Sequence, residues 1–378
     1  MKTSNEEKSL NILVVYAAKF GFHVVSYYLA KYASTHHNVT YLGLVLDETG
    51  QSLQYPGVNI VEHNCTPGLK GRLEMLSILR KEIQSNSYDV IFTQYFAGLS
   101  LLKPFLINEN IVVDIRSGYL LDSFVKRKLL NYILYAESTL LSKYISINSV
   151  KLGEFLGFKK ESLEELPLGA EDFYSKDKDK DKDKDKDKDK DKINLIYVGT
   201  LHKRNVHLTV IGLSKYINLN PNHNIKRYDI IGSGSREDDR LLKNTIEQHQ
   251  LSDIVKMHGY VSRQEIDIYL KNANVGVSFV PKTKYYDLQP VTKTYEFLLS
   301  GFAVIATSTT QNSTLINSEN GVLIEDSEDG FFKGLSHICD NFKHYSPKNI
   351  YYKSKKFSWE RIINDKYLPF LMKAASKD

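Results

Sequence analysis

Cysteine is almost missing from this chain: there are two in 378 residues, Cys65 and Cys339. They lie far apart, with no C-x-x-C pair and no histidines at metal-ligand spacing. Neither a disulfide scaffold nor a structural zinc site is supported, and a reducing cytoplasm fits this usage. Long apolar runs are lacking too, none approaching the ~20 residues of a membrane span. The N-terminus, MKTSNEEKSL, places Glu6 and Glu7 ahead of a short apolar run, Ile12 to Ala18. That is a poor signal peptide and a good first strand. A strong charge of one sign is the third absence. Lys and Arg number 50 against 45 Asp and Glu, a formal net charge of +5. This is too small to argue for nucleic acid and suits anionic small molecules or an anionic membrane surface.

What is present is a soluble globular composition, 42% hydrophobic and 25% charged, close to average usage. The length exceeds what one hydrophobic core usually supports, so two domains are expected. Lys176 to Lys192 is an unbroken lysine–aspartate alternation. Its charges cancel and it holds no apolar residue to fold around, which reads as a solvated linker. The D-K-D triplets inside it are accidents of the repeat, because a metal site needs a fixed scaffold. The boundaries that follow are 1–170 for a first domain, 171–192 for the linker and 193–358 for a second domain.

Both halves alternate short apolar or β-branched runs with helical patterns. Before the linker, residues 11–16, 39–46, 90–93, 111–115 and 144–147 read as strands, and 71–83, 120–143 and 149–156 as helices. After it, 194–198, 228–231, 254–258, 275–280, 303–306 and 322–324 read as strands. The helices between them are 206–218, 238–248, 262–271, 291–300 and 330–340. The pattern implies an α/β fold of two parallel sheets covered on both faces. Ligands in such sheets bind beyond the carboxyl ends of the strands.

Gln289 to Ala306, QPVTKTYEFLLSGFAVIA, carries the most information. It reads as a polar loop, a short helix, a glycine break and a buried strand. Lys293 and Glu296 stand three residues apart and share a helix face. The unpaired amides and dipole of a helix N-terminus favour an anion, which suits Glu296 and not Lys293. A phosphate held between Lys293 and the amides near Thr292 supplies the missing charge. Glu296, a pure acceptor one turn on, can take both hydroxyls of a ribose. The alternative is an exposed Lys/Glu pair on an ordinary surface helix.

This segment resembles the donor-site motif of the retaining glycosyltransferases of family four, which have the GT-B fold of two facing, Rossmann-like, doubly wound parallel-sheet domains with a cleft between them. Many members show a glutamate, seven residues, a second glutamate, then small-Gly-x-x-Val-Ile-Ala. Here Glu296 is the second glutamate, followed by Ser300, Gly301 and Val304-Ile305-Ala306. Leu288 stands at the first position, and Asp287 is the nearest carboxylate for the donor sugar. Val291 to Glu296 approaches the Pro-x-Lys-x-x-Glu form of other members.

The resemblance extends to other loops that follow strands. In Val198-Gly199-Thr200-Leu201-His202-Lys203-Arg204-Asn205, the family places an arginine directly after the glycine and a lysine five residues later. Thr200 and Asn205 occupy those positions, and Lys203 and Arg204 between them are the cations available to a diphosphate leaving group. A solvated basic loop is the alternative. Gly232-Ser233-Gly234 matches the family's Ile-Gly-x-Gly turn better than a dinucleotide fingerprint, since Glu237 replaces the third glycine. Gly259-Tyr260-Val261 falls where family members contact the nucleobase through backbone, or is a plain glycine turn. In the first domain, Gly21 and His23 follow the first strand and Arg116 ends an inner one. They are the acceptor-side candidates, with a structural histidine and a local salt bridge as the alternatives. Ser358-Trp359 opens an amphipathic stretch, 359–374, that in this fold packs back on the first domain, with a helix capping its own domain as the alternative.

The helix expected over Leu120 to Lys143 mixes Phe124, Val125 and Leu129 with Lys126, Arg127 and Lys128. It is either a basic amphipathic helix on an anionic bilayer or a core helix with a charged outer face. The resemblance therefore implies transfer of a sugar from a nucleotide-diphosphate donor to a saccharide or lipid-linked saccharide, with retention. Cell-envelope polysaccharide or glycoconjugate synthesis, in the cytoplasm or at the inner face of the membrane, is the setting it implies. No tightly bound cofactor, no metal and no nucleic acid are expected. A sugar-nucleotide epimerase on the same fold and a non-catalytic transferase-like subunit remain as alternatives.

Overall fold

The computed structural model describes residues 9–46, 50–119, 121, 123–172 and 191–376. The lysine–aspartate alternation expected as a linker lies, as far as residue 190, outside them. So do Leu120 and Asp122 at the start of the expected basic helix.

The chain divides into two compact units. Residues up to Leu168 join with those from Trp359 onward in the first, and Gly169–Ser358 form the second. In the first unit the strands are β1 (Asn11–Tyr16), β2 (Asn38–Val45), β3 (Val58–Asn64), β4 (Val90–Gln94), β5 (Ile111–Ile115), β6 (Tyr144–Ile147) and β7 (Leu163–Glu165). They pair in the order β3-β2-β1-β4-β5-β6-β7, every pair parallel. In the second they are β8 (Ile193–Val198), β9 (Ile225–Ile231), β10 (Val255–Gly259), β11 (Val275–Ser278), β12 (Ala303–Thr307) and β13 (Gly321–Ile324). Their order is β10-β9-β8-β11-β12-β13, again all parallel. Parallel strands need crossovers, and helices on both faces bury them from each side. That is why β5 and β12 are buried at every residue.

Both sheets reverse direction of growth beside their first strand, at β1/β4 and β8/β11. A crevice opens beyond the carboxyl ends at such a switch point. In the second unit it is roofed by the helix Thr292–Leu299, which packs against β11 and β12. Close approach is possible because Gly276 stands in the middle of β11. A Cβ there would lie 2.4 Å from the Phe297 ring.

Elements differ from expectation where burial hides the period or half-exposure blurs it. The helix Val24–Ala33 was not expected; Val25, Ser26, Tyr28, Leu29, Ala30 and Ala33 are all buried, leaving little polar face to mark it. Strand β3 was missed because it alternates imperfectly at a sheet edge. The helix Pro347–Ser354, with Pro347 in its first turn and Ser346 capping it, was missed as well. The expected helix 120–143 is Phe124–Leu141, starting after the cap Ser123. The C-terminal stretch is broken into Trp359–Ile362, a π turn over Ile363–Tyr367, and Leu368–Ala375. Pro369 lacks the N–H for a regular bond four residues back, which accounts for the wider turn before it. The stretch packs on the first unit: Trp359 stacks on Tyr28 with centroids 5.2 Å apart, and Phe370 meets Tyr144 edge-on at 6.0 Å.

Gly276→Ala is expected to lose about 1–3 kcal/mol of stability through overpacking against Phe297. A urea midpoint equal to wild type would show that the helix does not depend on this close approach.

Candidate active site

A cavity of about 320 Å³ opens at the carboxyl ends of β8 and β11 in the second unit. Gly199, Thr200 and Arg204 supply one wall, and Gln289 to Lys293 the other. Of the candidate residues, it therefore brings together Gly199, Thr200, Arg204, Thr292 and Lys293. Lys203, Gly232, Gly234, Tyr260, Val261, Asp287 and Glu296 are not among the residues that line it.

The position of the second wall is fixed by a buried hydrogen-bond chain. Thr294 Oγ1 shares a hydrogen bond with Ser278 Oγ at the end of β11 (2.7 Å) and donates to Asn312 Oδ1 (2.9 Å). Asn312 Nδ2 donates to the Thr307 carbonyl at the end of β12 (2.9 Å), and Thr307 Oγ1 accepts from the Val280 N–H (3.1 Å). Ser278, Thr294, Thr307 and Asn312 are almost wholly buried. The start of the helix is thus tied to two strand ends. Its first residue pairs no side chain with the backbone: Val291 is the cap and has no capping hydrogen bond. The N–H groups of Thr292 and Lys293 precede the first intrahelical bond, so the helix opens on the cavity with its donor end.

Lys293 and Glu296 form an ion pair, Nζ to Oε2, with 27% and 11% of their side chains exposed. This is no exposed surface pair. Lys293 reaches the cavity, while Glu296 is buried behind it and its backbone carbonyl accepts from Ser300 Oγ (2.7 Å). The Arg204 guanidinium lies 4.1 Å from the centre of the Tyr286 ring. That stacking holds the cation in the cavity wall without neutralising it.

The neighbouring loops are packed rather than open. Gly232 has φ +136, and a Cβ there would sit 1.8 Å from the Gly199 carbonyl oxygen. A Cβ on Gly234 would press on Asp238 and on the His202 amide. Gly232 N–H donates to the Gly259 carbonyl (2.7 Å), and Leu201 N–H to the Ser233 carbonyl (3.0 Å). His202 Nδ1 sits 3.0 Å from Asp238 Oδ2. Hydrogen bonds from Ser235 first, then from His202, hold the Asp238 carboxyl down at about 2. These contacts fix the 199–205 loop, which carries positive φ at Lys203 and Asn205. The Tyr260 side chain is 84% exposed, and Val261 packs on the core. Asp287 is taken up locally, accepting from the Thr310 N–H (2.8 Å) and Thr310 Oγ1 (2.7 Å).

In the first unit, His23 and Arg116 meet at the carboxyl end of the sheet around Asp114, which is fully buried. Asp114 accepts from Tyr16 (2.6 Å), Ser146 (2.7 Å) and Arg116 Nε (2.5 Å). Arg116 Nη1 donates to the Leu166 carbonyl (3.0 Å), and the guanidinium lies 5.6 Å from the Tyr367 ring. Burial, and then the Arg116 cation, push the His23 imidazole down to about 4, so it is neutral at neutral pH. His23 Nδ1 and Arg116 Nη2 are buried with no hydrogen-bond partner among the described residues. Gly21, at φ +93, lets the Leu53 side chain close over the same loop.

Sequence reasoning missed Tyr197, Ser278, Tyr286, Thr294 and Asn312. The one available signal was Thr294, a hydroxyl on the helix face that also carries Leu298 and is otherwise apolar. No group of three or more acidic, histidine or cysteine side chains is arranged to hold a metal ion among the described residues.

Residues 178–344 match the family model described as glycosyl transferases group 1. No curated protein matches the chain. Among solved structures, HepE of Anabaena in complex with UDP and glucose is similar over 96% of this chain and 100% of that one, with TM-score 0.69 and 11% identity. Sucrose-phosphate synthase of Thermosynechococcus elongatus is similar over 97% and 100%, with TM-score 0.71 and 16% identity. The apo form of the lipopolysaccharide outer core galactosyltransferase WaaB is similar over 95% and 99%, with TM-score 0.64 and 13% identity. The two parallel-sheet units are thus those of the GT-B fold, and residues 178–344 of the second match a glycosyltransferase domain.

Thr294→Val keeps the shape of the side chain and removes both of its hydroxyl bonds. We expect a loss of about 1–3 kcal/mol in urea unfolding, since Asn312 Oδ1 and Ser278 Oγ stay buried without that partner. A wild-type midpoint would mean that the chain of hydrogen bonds does not hold the helix in place.

Proposed function

We propose that the second unit binds a nucleotide-diphosphate sugar in the 320 Å³ cavity and transfers the sugar, with retention, to a saccharide or lipid-linked saccharide. One observation carries this reading. The cavity gathers Arg204, Lys293 and the donor end of the helix Thr292–Leu299 around a space at the carboxyl end of the sheet. Two cations and free amides are what a diphosphate needs. The complexes of HepE hold UDP, UDP with glucose, or UDP-glucose, so a UDP-sugar is the first donor to test.

In the bound state the diphosphate takes Lys293 from Glu296, and the freed carboxylate accepts from the ribose hydroxyls. Arg204, pre-oriented on Tyr286, meets the charge that grows on the leaving group. The bond from sugar C1 to the β-phosphate oxygen breaks, and its electron pair leaves with the diphosphate. The acceptor hydroxyl oxygen bonds to C1 on the same face and passes its proton to a donor phosphate oxygen. No separate base is needed. Gly232 and Gly234 serve by packing the 199–204 loop, Gly199 and Thr200 by lining the diphosphate end, and the backbone of Tyr260 and Val261 by reading the base. Lys203 adds a cation at the rim. Asp287 supports the turn at Thr310. On the acceptor side, the unpartnered nitrogens of His23 and Arg116 in the first unit suit sugar hydroxyls, beside the turn at Gly21.

The helix Phe124–Leu141 supports the bilayer alternative over the core one. Only Leu134 and Ser138 are buried on it. Glu137 fastens its inner side, accepting from Tyr95 (2.9 Å) and the Gly98 N–H (2.9 Å). Phe124, Val125, Leu129 and Tyr132 are 56–73% exposed, next to Lys126 and Lys128. Among the described residues no helix is long and apolar enough to cross a membrane. We therefore assign this face to peripheral contact with an anionic bilayer that carries the acceptor, at its cytoplasmic side, in envelope glycoconjugate synthesis.

Arg204→Ala and Glu296→Gln are each expected to lower kcat/KM about 10²–10³-fold with a UDP-sugar, with unchanged thermal midpoints and product of retained anomeric configuration by NMR. Wild-type rates, or conversion of the nucleotide sugar in the absence of acceptor, would contradict the assignment. In vesicle co-sedimentation, the wild type should pellet with phosphatidylglycerol and not with phosphatidylcholine, and Phe124→Ser/Leu129→Ser should stay in solution. Equal pelleting of the variant would remove the membrane role.

A further inference from the structure

A second cavity, of about 560 Å³, lies in the second unit away from the site described above and shares no lining residue with it. One wall is the turn 314–320 that leads into β13, and the other is the helix Pro347–Ser354 with the turn that follows. Because β13 begins at Gly321, directly after Asn320, this cavity sits at the amino end of that strand. The donor site lies past the carboxyl ends of β8 and β11, at the opposite rim of the sheet.

The walls are held by their own hydrogen bonds, so the cavity is built before any ligand arrives. Asn317 N–H donates to Asn320 Oδ1 (2.8 Å), Glu319 N–H to Asn317 Oδ1 (2.9 Å), and Asn320 Nδ2 to the Leu315 carbonyl (2.9 Å). Ser346 Oγ caps the helix by accepting from the Asn349 N–H. With those bonds made, several polar groups in the lining are left over. The side-chain amide of Asn349, Asn317 Nδ2, the Ser318 hydroxyl and the His344 ring have no hydrogen-bond partner among the described residues. Lys353 is paired with Glu319, whereas Lys356 has no carboxylate and lies 5.1 Å from the centre of the Phe357 ring. Phe357 is itself held edge-on by Tyr295 at 5.3 Å.

We propose that this cavity is a second ligand site and that it takes a phosphorylated monosaccharide. Its volume falls in the range of small-molecule pockets. Amide and hydroxyl groups offer both donors and acceptors, the pairing that vicinal sugar hydroxyls require. The C–H face of a pyranose packs on an aromatic ring such as Phe357, whose face carries negative potential. Lys356 is the unpaired cation for a phosphate, at the charge-assisted distance a lysine side chain can adjust to reach. A neutral sugar leaves that charge unused, and inorganic phosphate leaves the amides and the ring unused. Phe357 in its lining meets Tyr295 of the helix Thr292–Leu299, which stands between Lys293 and Glu296 in the chain.

Isothermal titration of the full chain with glucose 6-phosphate, glucose and inorganic phosphate tests the assignment. Glucose 6-phosphate should bind, with the other two about tenfold weaker or more. Asn349→Ala and Lys356→Ala change exposed side chains, and each should weaken glucose 6-phosphate about tenfold. Lys293→Ala, in the other cavity, should bind it within about twofold of wild type. The proposal is overturned if glucose 6-phosphate gives no heat, if it binds Asn349→Ala and Lys356→Ala as it binds the wild type, or if Lys293→Ala is the variant that loses it. The last result would put the sugar phosphate in the donor cavity. Because none of these measurements uses a nucleotide, they can fail while the donor assignment stands.

Discussion

The buried hydrogen-bond chain from Ser278 through Thr294 and Asn312 to Thr307 is the constraint on which the second unit's site depends. Hydroxyls and an amide in a core are costly unless paired, and each group here has its partner. Pairing fixes where the helix Thr292–Leu299 begins relative to two strand ends. Everything at the cavity then follows from that one placement: the free amides, Lys293 on the wall and Glu296 behind it. Gly276 lets the helix come down far enough for Thr294 to reach Ser278. Packing and polar satisfaction thus act on the same few residues, and the site inherits its rigidity from the sheet.

The first unit uses a different device for its own carboxyl edge. The Asp114 side chain is buried away from solvent and accepts from three donors, one of them a guanidinium. A buried pair of this kind is sustained only when the remaining donors also find acceptors. Arg116 Nη1 does so at the Leu166 carbonyl, while Nη2 does not. Burial first, and then the same cation, keep His23 neutral. His23 Nδ1 and Arg116 Nη2 are the nitrogens left without a partner there, in a unit whose core is otherwise closed by Trp359, Tyr367 and Leu371.

Much of this architecture was legible in the residues. Runs such as LIYV and AVIA are apolar throughout because both faces of their sheet are covered, so strands β8 and β12 could be placed to within one residue. Elements without such a signature were lost. The helix Val24–Ala33 is buried nearly all round, and β3 is a half-exposed edge. In the second unit, a lysine and a glutamate at helical spacing pointed to the helix whose start lines the cavity, and Gly199 with Arg204 to the loop across from it. Tyr286 under Arg204 and Asn312 under Thr294 were not legible. Each acts through a contact formed by distant parts of the chain, and nothing in local spacing announces it. Asp287 shows the converse: a carboxylate beside the motif in sequence whose oxygens accept from Thr310.

The central claim is that this helix start grips a diphosphate, and a crystal structure with UDP-glucose bound tests it most directly. The account predicts the β-phosphate within hydrogen-bonding distance of Arg204 and of the Thr292 or Lys293 N–H, with the Lys293 ammonium moved off Glu296 onto phosphate oxygen. A nucleotide bound elsewhere, or bound there with the Lys293–Glu296 pair intact and Arg204 still on Tyr286, would contradict it.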